Sequence, residues 1–570
     1  MRSPVRRSLV LATLLALLLG VSGAAAPIGL ARGETSTTVR GIDVDATTIP
    51  ELQELMDAHK LTSVQLTRFY LQRIRKLNPR LNAVITVSPT ALRDARRADR
   101  MRRQGSDLPL LGIPVIVKDN INTTGMPTTA GSFALDGSTP SDAFIVERLR
   151  AAGALIIGKA NLSEWANFRS APSSSGWSGI GGQTNMAYVL DRNPCGSSSG
   201  SAVVASADLA TVAVGTETDG SIVCPSGANA VVGVKPTIGL LSRSGIVPIS
   251  ADQDTAGPMT RNVTDAAVVL GAMTGVDPDD AATAAQVGNA FSDYTQVLDA
   301  DALDGARIGV WRQGNFGVVP EVDAIMEATI DELESLGATI VDPADIPIEP
   351  AFEPEFAALL CEFKDDIAAY LQTFTDPPYP QTLQDLIDFN NAHPELESGA
   401  PESNWNSLIF DLAQETGGRA APDCIAAREA ATSIAKASID DTMAANDLDA
   451  IIAPTNTPAW LTDPVNGDDF TNFIGSSTPA ATAGYANVTV PAGFVGELPV
   501  GVSFIGGRWD EPTLLAFAFA FEQATEVRVP PKFIPSLESA SARVTVRGVA
   551  PDRRAAAPAR DRQRVMWPVR

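Results

Sequence analysis

The sequence predicts an α/β protein organised as one large domain, and three observations carry that expectation. Helix-periodic segments alternate with short continuous apolar runs, the pattern of buried and partly parallel strands covered by helices. Apolar residues make up 45% of the 570 residues and charged residues 19%, which supplies a large core and argues against disorder over most of the length. Nothing between residues 45 and 535 has the composition of a linker, although length alone would allow about three domains.

The elements follow in order. Residues 48–103 read as helices, with apolar positions three to four apart in ELQELMDAHK and SVQLTRFYLQRIRKL and a helix start at IPELQ. LLGIPVIVKDN is a buried strand ending at Lys118, and AFIVERLRAAGALIIGKAN predicts a helix stopped at Gly153 followed by a second buried strand. From 182 to 247 the pattern is a loop, an Ala-rich helix starting near Gly200, the strand ATVAV, a tight loop at GTETDGS and a strand near VVGVKP. Residues 300–450 are mainly helical, most clearly in IMEATIDELESLG and REAATSIAKASIDDTMAANDL. The last section returns to strands in DAIIAPT, ANVTVPAG and PVGVSFIGG and closes with the helix TLLAFAFAFEQAT. Functional loops in such folds lie at strand ends, and segments 270–300 and 370–425 are expected to shape the mouth of the site.

The two ends differ from the body. Arg2, Arg6 and Arg7 precede an apolar run from Leu9 to Leu19 and then small residues, which predicts a signal peptide over residues 1–31 and a secreted or periplasmic protein. The paired arginines also admit twin-arginine export. The competing reading is a membrane anchor or buried helix, but the run is too short to span a bilayer, so no membrane span is expected once the signal is removed. Residues 536–570 carry eight Arg against Glu538, Asp552 and Asp561 and lack an apolar period, so a basic, disordered tail is expected there. The body is therefore more acidic than the total charge of −24, which argues against nucleic-acid or anionic-membrane partners.

The four cysteines, Cys195, Cys224, Cys361 and Cys424, have no CxxC or Cys/His spacing, so no metal site is expected. Export would permit a disulfide, with Cys361 and Cys424 as the pair to test because the other two flank serine clusters. Four buried thiols are the alternative, and Cys224 reads as a core residue.

Those serine clusters, PCGSSSGSA and GTETDGSIVCPS, flank the strand ATVAV. A serine hydroxyl is a weak nucleophile until a base takes its proton. The chain has only His59, in MDAHK, and His393, in NAHPE, and neither sits in a strand-end loop, which disfavours a Ser-His-Asp triad. Lysine can replace histidine, because burial lowers its pKa until a neutral amine exists near pH 7; arginine cannot. Only eight of the 43 basic residues are lysines, yet Lys118, Lys159 and Lys235 all fall beside apolar strands, and any of the three could be the base. The bland reading makes Lys118 an ordinary strand-end lysine and Ser197 and Ser221 turn or cap residues, as Ser198 and Ser199 are read.

LLGIPVIVKDNI, PCGSSSGSA, GTETDGSIVCPS and GVKPTIGLLSRSGIVPIS, in that order, resemble the amidase signature family. GTETDGSIVCP together with NLSEWANFRS and SSSGW is most similar to the family's bacterial peptide amidase branch. The resemblance covers residues 45–535 and implies the amidase signature fold, a single large domain with a mixed twisted sheet covered by helices on both faces. It implies a Ser-Ser-Lys triad in which Lys118 is the base, Ser197 the bridging residue and Ser221 the nucleophile. It further implies a cis peptide between Gly196 and Ser197, support of the nucleophile by Thr216, and an oxyanion hole of backbone N–H groups from Thr218, Asp219, Gly220 and Ser221.

The implied activity is hydrolysis of a carboxamide C–N bond through an acyl-enzyme, without metal or cofactor. The implied substrate is a small amide or short amidated peptide, converted to the acid and ammonia. Two departures from the family pattern stand out. Asp219 occupies a position where many relatives have Gly, and its carboxylate would oppose a developing oxyanion unless it points away. Val223 stands where many relatives place an Arg, which disfavours substrates with a small carboxylate to be clamped. The alternatives are an amidase of the same fold acting on aryl, aliphatic or fatty amides, a transamidase subunit, which an export signal disfavours, and a non-catalytic secreted binding protein whose Gly/Ser loops hold phosphate.

Overall fold

A computed structural model describes residues 36–374, 379–398 and 404–537. The expected signal peptide, and all but the first two residues of the expected basic tail, lie outside this set. The centre of the molecule is one mixed sheet of eleven strands. In chain order these are β1 (Val84–Val87), β2 (Pro114–Lys118), β3 (Leu155–Ala160), β4 (Val212–Glu217), β5 (Val232–Lys235), β6 (Thr255–Thr260), β7 (Arg307–Val310), β8 (Thr339–Val341), β9 (Ala450–Pro454), β10 (Asn487–Val495) and β11 (Leu498–Ile505). Their order across the sheet is β8-β7-β9-β11-β10-β5-β6-β4-β2-β3-β1.

Parallel pairing joins β4 to β2 and β2 to β3, and again β9 to β7 and β7 to β8, while the remaining neighbours run antiparallel. The interior strands β2, β3, β4 and β9 are buried along their whole length, which is why they read as apolar runs rather than alternating ones. Helices cover both faces, and the main apolar core runs between them from Val44 to Phe533. Among the described residues no helix is long and apolar enough to cross a membrane.

The strands ending at Lys118 and in IIGKA, the stop at Gly153 with φ of +93°, and the helix from Ser199 to Ser206 match expectation. Four strands depart from it, among them β8, a three-residue TIV inside the segment read as mainly helical. β1 interrupts the segment read as helical, because VITV is a short β-branched run that the neighbouring strand β3 recruits. β6 carries TAGPMT, a sequence with Gly and Pro that reads as a loop until β4 and β5 pair with its two edges. β7 is a four-residue strand, RIGV, too short to show a period.

A layer built mainly from the helices Phe352–Leu371, Leu383–Ala392, Leu408–Glu415 and Pro422–Asn446 sits over the loops that leave the sheet. Its aromatic core stacks Phe363 on Phe410 and sets Phe168 and Trp165 edge-on against them. Cys361 and Cys424 form a disulfide between the first and last of these helices. Cys195 and Cys224 form a second disulfide, which corrects the expectation that Cys224 is a core thiol. The loop from Asp191 brings Cys195 back against the helix Val223–Ala228, so the two Cα atoms lie 6.0 Å apart, within bridging distance.

Candidate active site

Lys118 is the last residue of β2, and Thr216 lies near the end of the neighbouring parallel strand β4. Parallel pairing therefore brings both side chains to the same edge of the sheet. Lys118 Nζ is fully buried, 2.8 Å from Ser197 Oγ, 2.9 Å from Thr216 Oγ1 and 3.2 Å from the Thr216 carbonyl oxygen. Asn120 Nδ2 donates to the same Thr216 hydroxyl at 2.9 Å. Burial pushes the Lys118 amine down from the ordinary 10.5 to about 7, against the opposing pull of the Asp254 and Glu217 carboxylates.

The other two lysines are elsewhere. Lys159 Nζ sits 3.2 Å from Asp119 Oδ1 and donates to Pro127 O and Thr128 Oγ1, so it is an ion-paired strut inside the sheet. Lys235 Nζ donates to the carbonyls of Ala480 and Tyr485. His59 and His393 do not line the cavity described below.

Ser197 arrives on the loop after the disulfide residue Cys195, and the peptide between Gly196 and Ser197 is cis. The carbonyl of Ser197 accepts from Ser163 N–H at 3.1 Å, and the next amide, Ser198 N–H, donates to Ser221 O at 3.1 Å. That last bond fastens one serine cluster to the other. Ser198 Oγ donates to Thr216 O and accepts from Thr216 N–H, and Ser199 Oγ donates to Cys195 O, so both brace the loop as their turn-serine reading expects. Gly200 is required by space: a Cβ there would lie 2.4 Å from Asn161 O and 2.6 Å from Ala83 O.

The second cluster turns from β4 into the helix Val223–Ala228 through Thr218, Asp219, Gly220 and Ser221. Gly220 has φ of +77°, which favours glycine. The carboxylate of Glu217 accepts from Ile222 and Val223 N–H at 2.7 and 3.0 Å and so caps the helix start. Among the described residues, the amides of Thr218, Asp219, Gly220 and Ser221 donate to no protein group, and the Ser221 hydroxyl has no hydrogen-bond partner.

The Asp219 carboxylate accepts from Ser477 Oγ at 2.5 Å and Thr478 Oγ1 at 2.7 Å, and burial raises its pKa. The residue that departs from the family pattern is thus tied by its side chain to the start of the helix Thr478–Ala483, while its amide stays unpaired.

Ser221, Gly220, Asp219, Thr218, Gly196 and the Cys195–Cys224 bridge form one wall of a cavity of about 400 Å³. Phe168, Ile249, Leu359, Ile409, Trp460, Phe470 and Phe473 give the rest an apolar face, beside polar residues that include Asn167, Ser170, Ser175, Asn466 and Ser477. Asp219 and Asp468 are the charged residues of this lining, and no Lys, Arg or His belongs to it among the described residues. The expectation that segments 270–300 and 370–425 shape the mouth is corrected: among the described residues, only Ile409 of the lining comes from them. The segment 455–477 supplies the aromatic wall instead. Its PAWLTDPVNGDDFTNF contains three aromatics in a long loop rich in Asp, Asn, Gly and Pro, a signal of a binding loop that the sequence reading passed over.

A model of the amidase family matches residues 65–515. The structure of native peptide amidase from Stenotrophomonas maltophilia superimposes with a TM-score of 0.80 and 47% identity, covering 86% of this chain and 99% of that one. A structure of the peptide amidase PAM in complex with the competitive inhibitor chymostatin gives 0.82 and 48%, covering 85% of this chain and 99% of the other. A protein of Arabidopsis thaliana described as a probable amidase is 40% identical over 505 residues, 86% of this chain and 92% of its own.

Proposed function

Because this chain belongs to the amidase family and is an amidase hydrolase, we propose that it converts the terminal carboxamide of apolar peptide or amino-acid amides to the acid and ammonia through Lys118, Ser197 and Ser221. The observation that carries the proposal is the set of three contacts at Lys118 Nζ. A neutral amine has two N–H donors and one lone pair. The Thr216 carbonyl can only accept and takes one N–H, and Nζ donates the other to the Thr216 hydroxyl, whose second lone pair is open beside the one that accepts from Asn120. The lone pair is left facing the Ser197 hydroxyl at 2.8 Å, and Ser197 becomes the donor.

In the proposed reaction, Ser221 Oγ attacks the amide carbonyl carbon as its proton passes to Ser197 Oγ and the Ser197 proton passes to Lys118 Nζ. The oxyanion faces the unpaired amides of residues 218–221, where removing one such donor typically costs roughly 3 to 4 kcal/mol. The protons then run back through Ser197 to the leaving nitrogen, the C–N bond breaks and ammonia departs. Water enters by the same relay, Ser221 is released and the acid leaves. The Ser221 hydroxyl must swing onto Ser197 as substrate binds, a movement that the Ser198 N–H bond to Ser221 O keeps short.

The similarity to peptide amidases and the apolar lining support a peptide-amide substrate with an apolar side chain. The charge of the lining supports discrimination by sign: Asp219 and Asp468 oppose a carboxylate next to the scissile amide, and Val223 offers no cation to clamp one. We therefore expect neutral apolar peptide amides to be turned over at least about tenfold faster than isosteres bearing that carboxylate. Mass spectrometry of a mixed pool of amidated peptides, aryl amides and aliphatic amides tests this. Equal turnover of the anionic amides would contradict the charge argument, and ammonia release from aryl or aliphatic amides alone would contradict the peptide-amide assignment. We also place the enzyme outside the cytoplasm. The N-terminal pattern and the two disulfides support that location, since cytosolic thiols are kept reduced.

A further inference from the structure

The amides that face the cavity need something to aim them, and one buried side chain outside the triad is placed to do so. Gln253 is fully buried, and its Nε2 donates to the carbonyl of Thr218 at 3.0 Å and to Glu355 Oε1 at 2.5 Å. Its Oε1 accepts from Arg428 Nη1 at 2.8 Å. The three partners determine which end of the amide is which: a guanidinium can only donate and a peptide carbonyl can only accept, so the NH2 group must face Thr218.

The peptide between Thr218 and Asp219 is trans, and in a trans peptide the C=O and N–H project to opposite sides. A Thr218 carbonyl held toward Gln253 therefore turns the Asp219 N–H the other way, toward the side of the loop that lines the cavity. The same logic applies one peptide later. Gly220 O accepts from Cys224 N–H at 2.9 Å, which turns the Ser221 N–H outward from the helix start. The helix itself fixes that second carbonyl, whereas the first depends on Gln253.

We propose that Gln253 is a positioning residue for amide hydrolysis: it aims the Asp219 N–H at the developing oxyanion by holding the Thr218 carbonyl, and Arg428 and Glu355 hold Gln253 in the orientation this requires. The proposal rests on the reading of residues 218–221 as the oxyanion hole. The outer members are rigidly mounted. Arg428 makes a two-pronged ion pair to Glu362, at 2.7 Å for each contact, and Ser250 Oγ donates to the same carboxylate at 2.5 Å. Glu355 and Glu362 lie on the helix Phe352–Leu371 and Arg428 on the helix Pro422–Asn446, the two helices joined by the Cys361–Cys424 disulfide. Through Gln253, the helical layer is connected to the loop that carries the nucleophile.

Gln253→Met keeps the length of the side chain and removes both amide functions. With a neutral peptide amide it is expected to lower kcat by about 10- to 100-fold and leave KM within about twofold, because the oxyanion exists only after binding. A peptide aldehyde, which forms a tetrahedral adduct with a serine nucleophile, is expected to lose affinity by the same factor, while the acid product binds unchanged. Arg428→Met, which leaves the Gln253 amide free to rotate, is expected to show the same pattern with a smaller loss, and it decides the matter if Gln253→Met does not fold. Wild-type kcat in a folded Gln253→Met protein, or equal losses for aldehyde and acid, would overturn the positioning role. Ser221→Ala, measured alongside, separates the two levels: full activity there would remove Ser221 as the nucleophile, and with it the reason to place the oxyanion at residues 218–221, whereas an inactive Ser221→Ala beside a fully active Gln253→Met would remove only this inference.

Discussion

Replacing Lys118 by methionine is expected to lower kcat/KM by at least about 1,000-fold while leaving the melting temperature at neutral pH no lower than that of the wild type. In the proposed relay the loss follows from removing the base: without it the Ser197 hydroxyl has no acceptor for its proton, and Ser221 remains a neutral alcohol. The stability side follows from burial. Holding a lysine at a pKa of about 7 instead of 10.5 corresponds to about 5 kcal/mol of unfavourable desolvation. The bonds to Ser197 and Thr216 return about 1 kcal/mol each, so the wild-type residue remains a net burden that methionine relieves.

The sign with pH is also set. Between about 7 and 10.5 the unfolded chain binds a proton on Lys118 that the folded chain does not, so this residue makes stability rise with pH across that window. The methionine variant should lack that contribution. Thermal melts of both proteins from pH 6 to 10 check it, and a variant markedly less stable than wild type at pH 7 would show that the amine is buried charged rather than neutral.

Ser221→Ala is expected to lower kcat by about 10,000-fold or more, and Ser197→Ala by a similar factor for a different reason. In the proposed reaction the first removes the atom that forms the acyl bond. The second leaves that atom in place and cuts its connection to Lys118. With the two serines acting as one relay, as proposed, the double variant should be no worse than either alone, a failure of additivity that independent contributions would not produce. Stability separates them as well. Ser221 sits at the cavity edge with an unpartnered hydroxyl, so its loss should be nearly neutral, whereas Ser197→Ala removes the buried oxygen that Lys118 faces and should lower the melting temperature. Steady-state kinetics and melts of the three variants check this, and additive losses in the double variant would contradict a shared relay.

Much of the site was legible in the sequence because its chemistry is local. GIPVIVK shows a buried strand that ends on a lysine, GTETDGS shows a tight turn out of the next strand, and the two lie side by side because both strands are interior and parallel. What was not legible depends on long-range closure. The partners of Asp219, Ser477 and Thr478, are 258 and 259 residues away, and nothing near ADQDT marks Gln253 as more than a polar turn residue. The Cys195–Cys224 bridge was missed because spacing does not determine connectivity. The strand TAGPMT was missed because its pairing on both edges overrides a local preference for a loop.

The proposed relay requires a neutral Lys118 amine that, acting through Ser197, makes Ser221 a nucleophile. Its most direct measurement is the rate at which a fluorophosphonate labels Ser221, followed by mass spectrometry as a function of pH in the wild type and in Lys118→Met. A proton acceptor works only when deprotonated, so the wild-type rate should rise with pH through a midpoint near 7 and then level off, and the variant should be slow at every pH. A midpoint near the ordinary lysine value, an equal rate in the variant, or label carried by any residue other than Ser221 would contradict it.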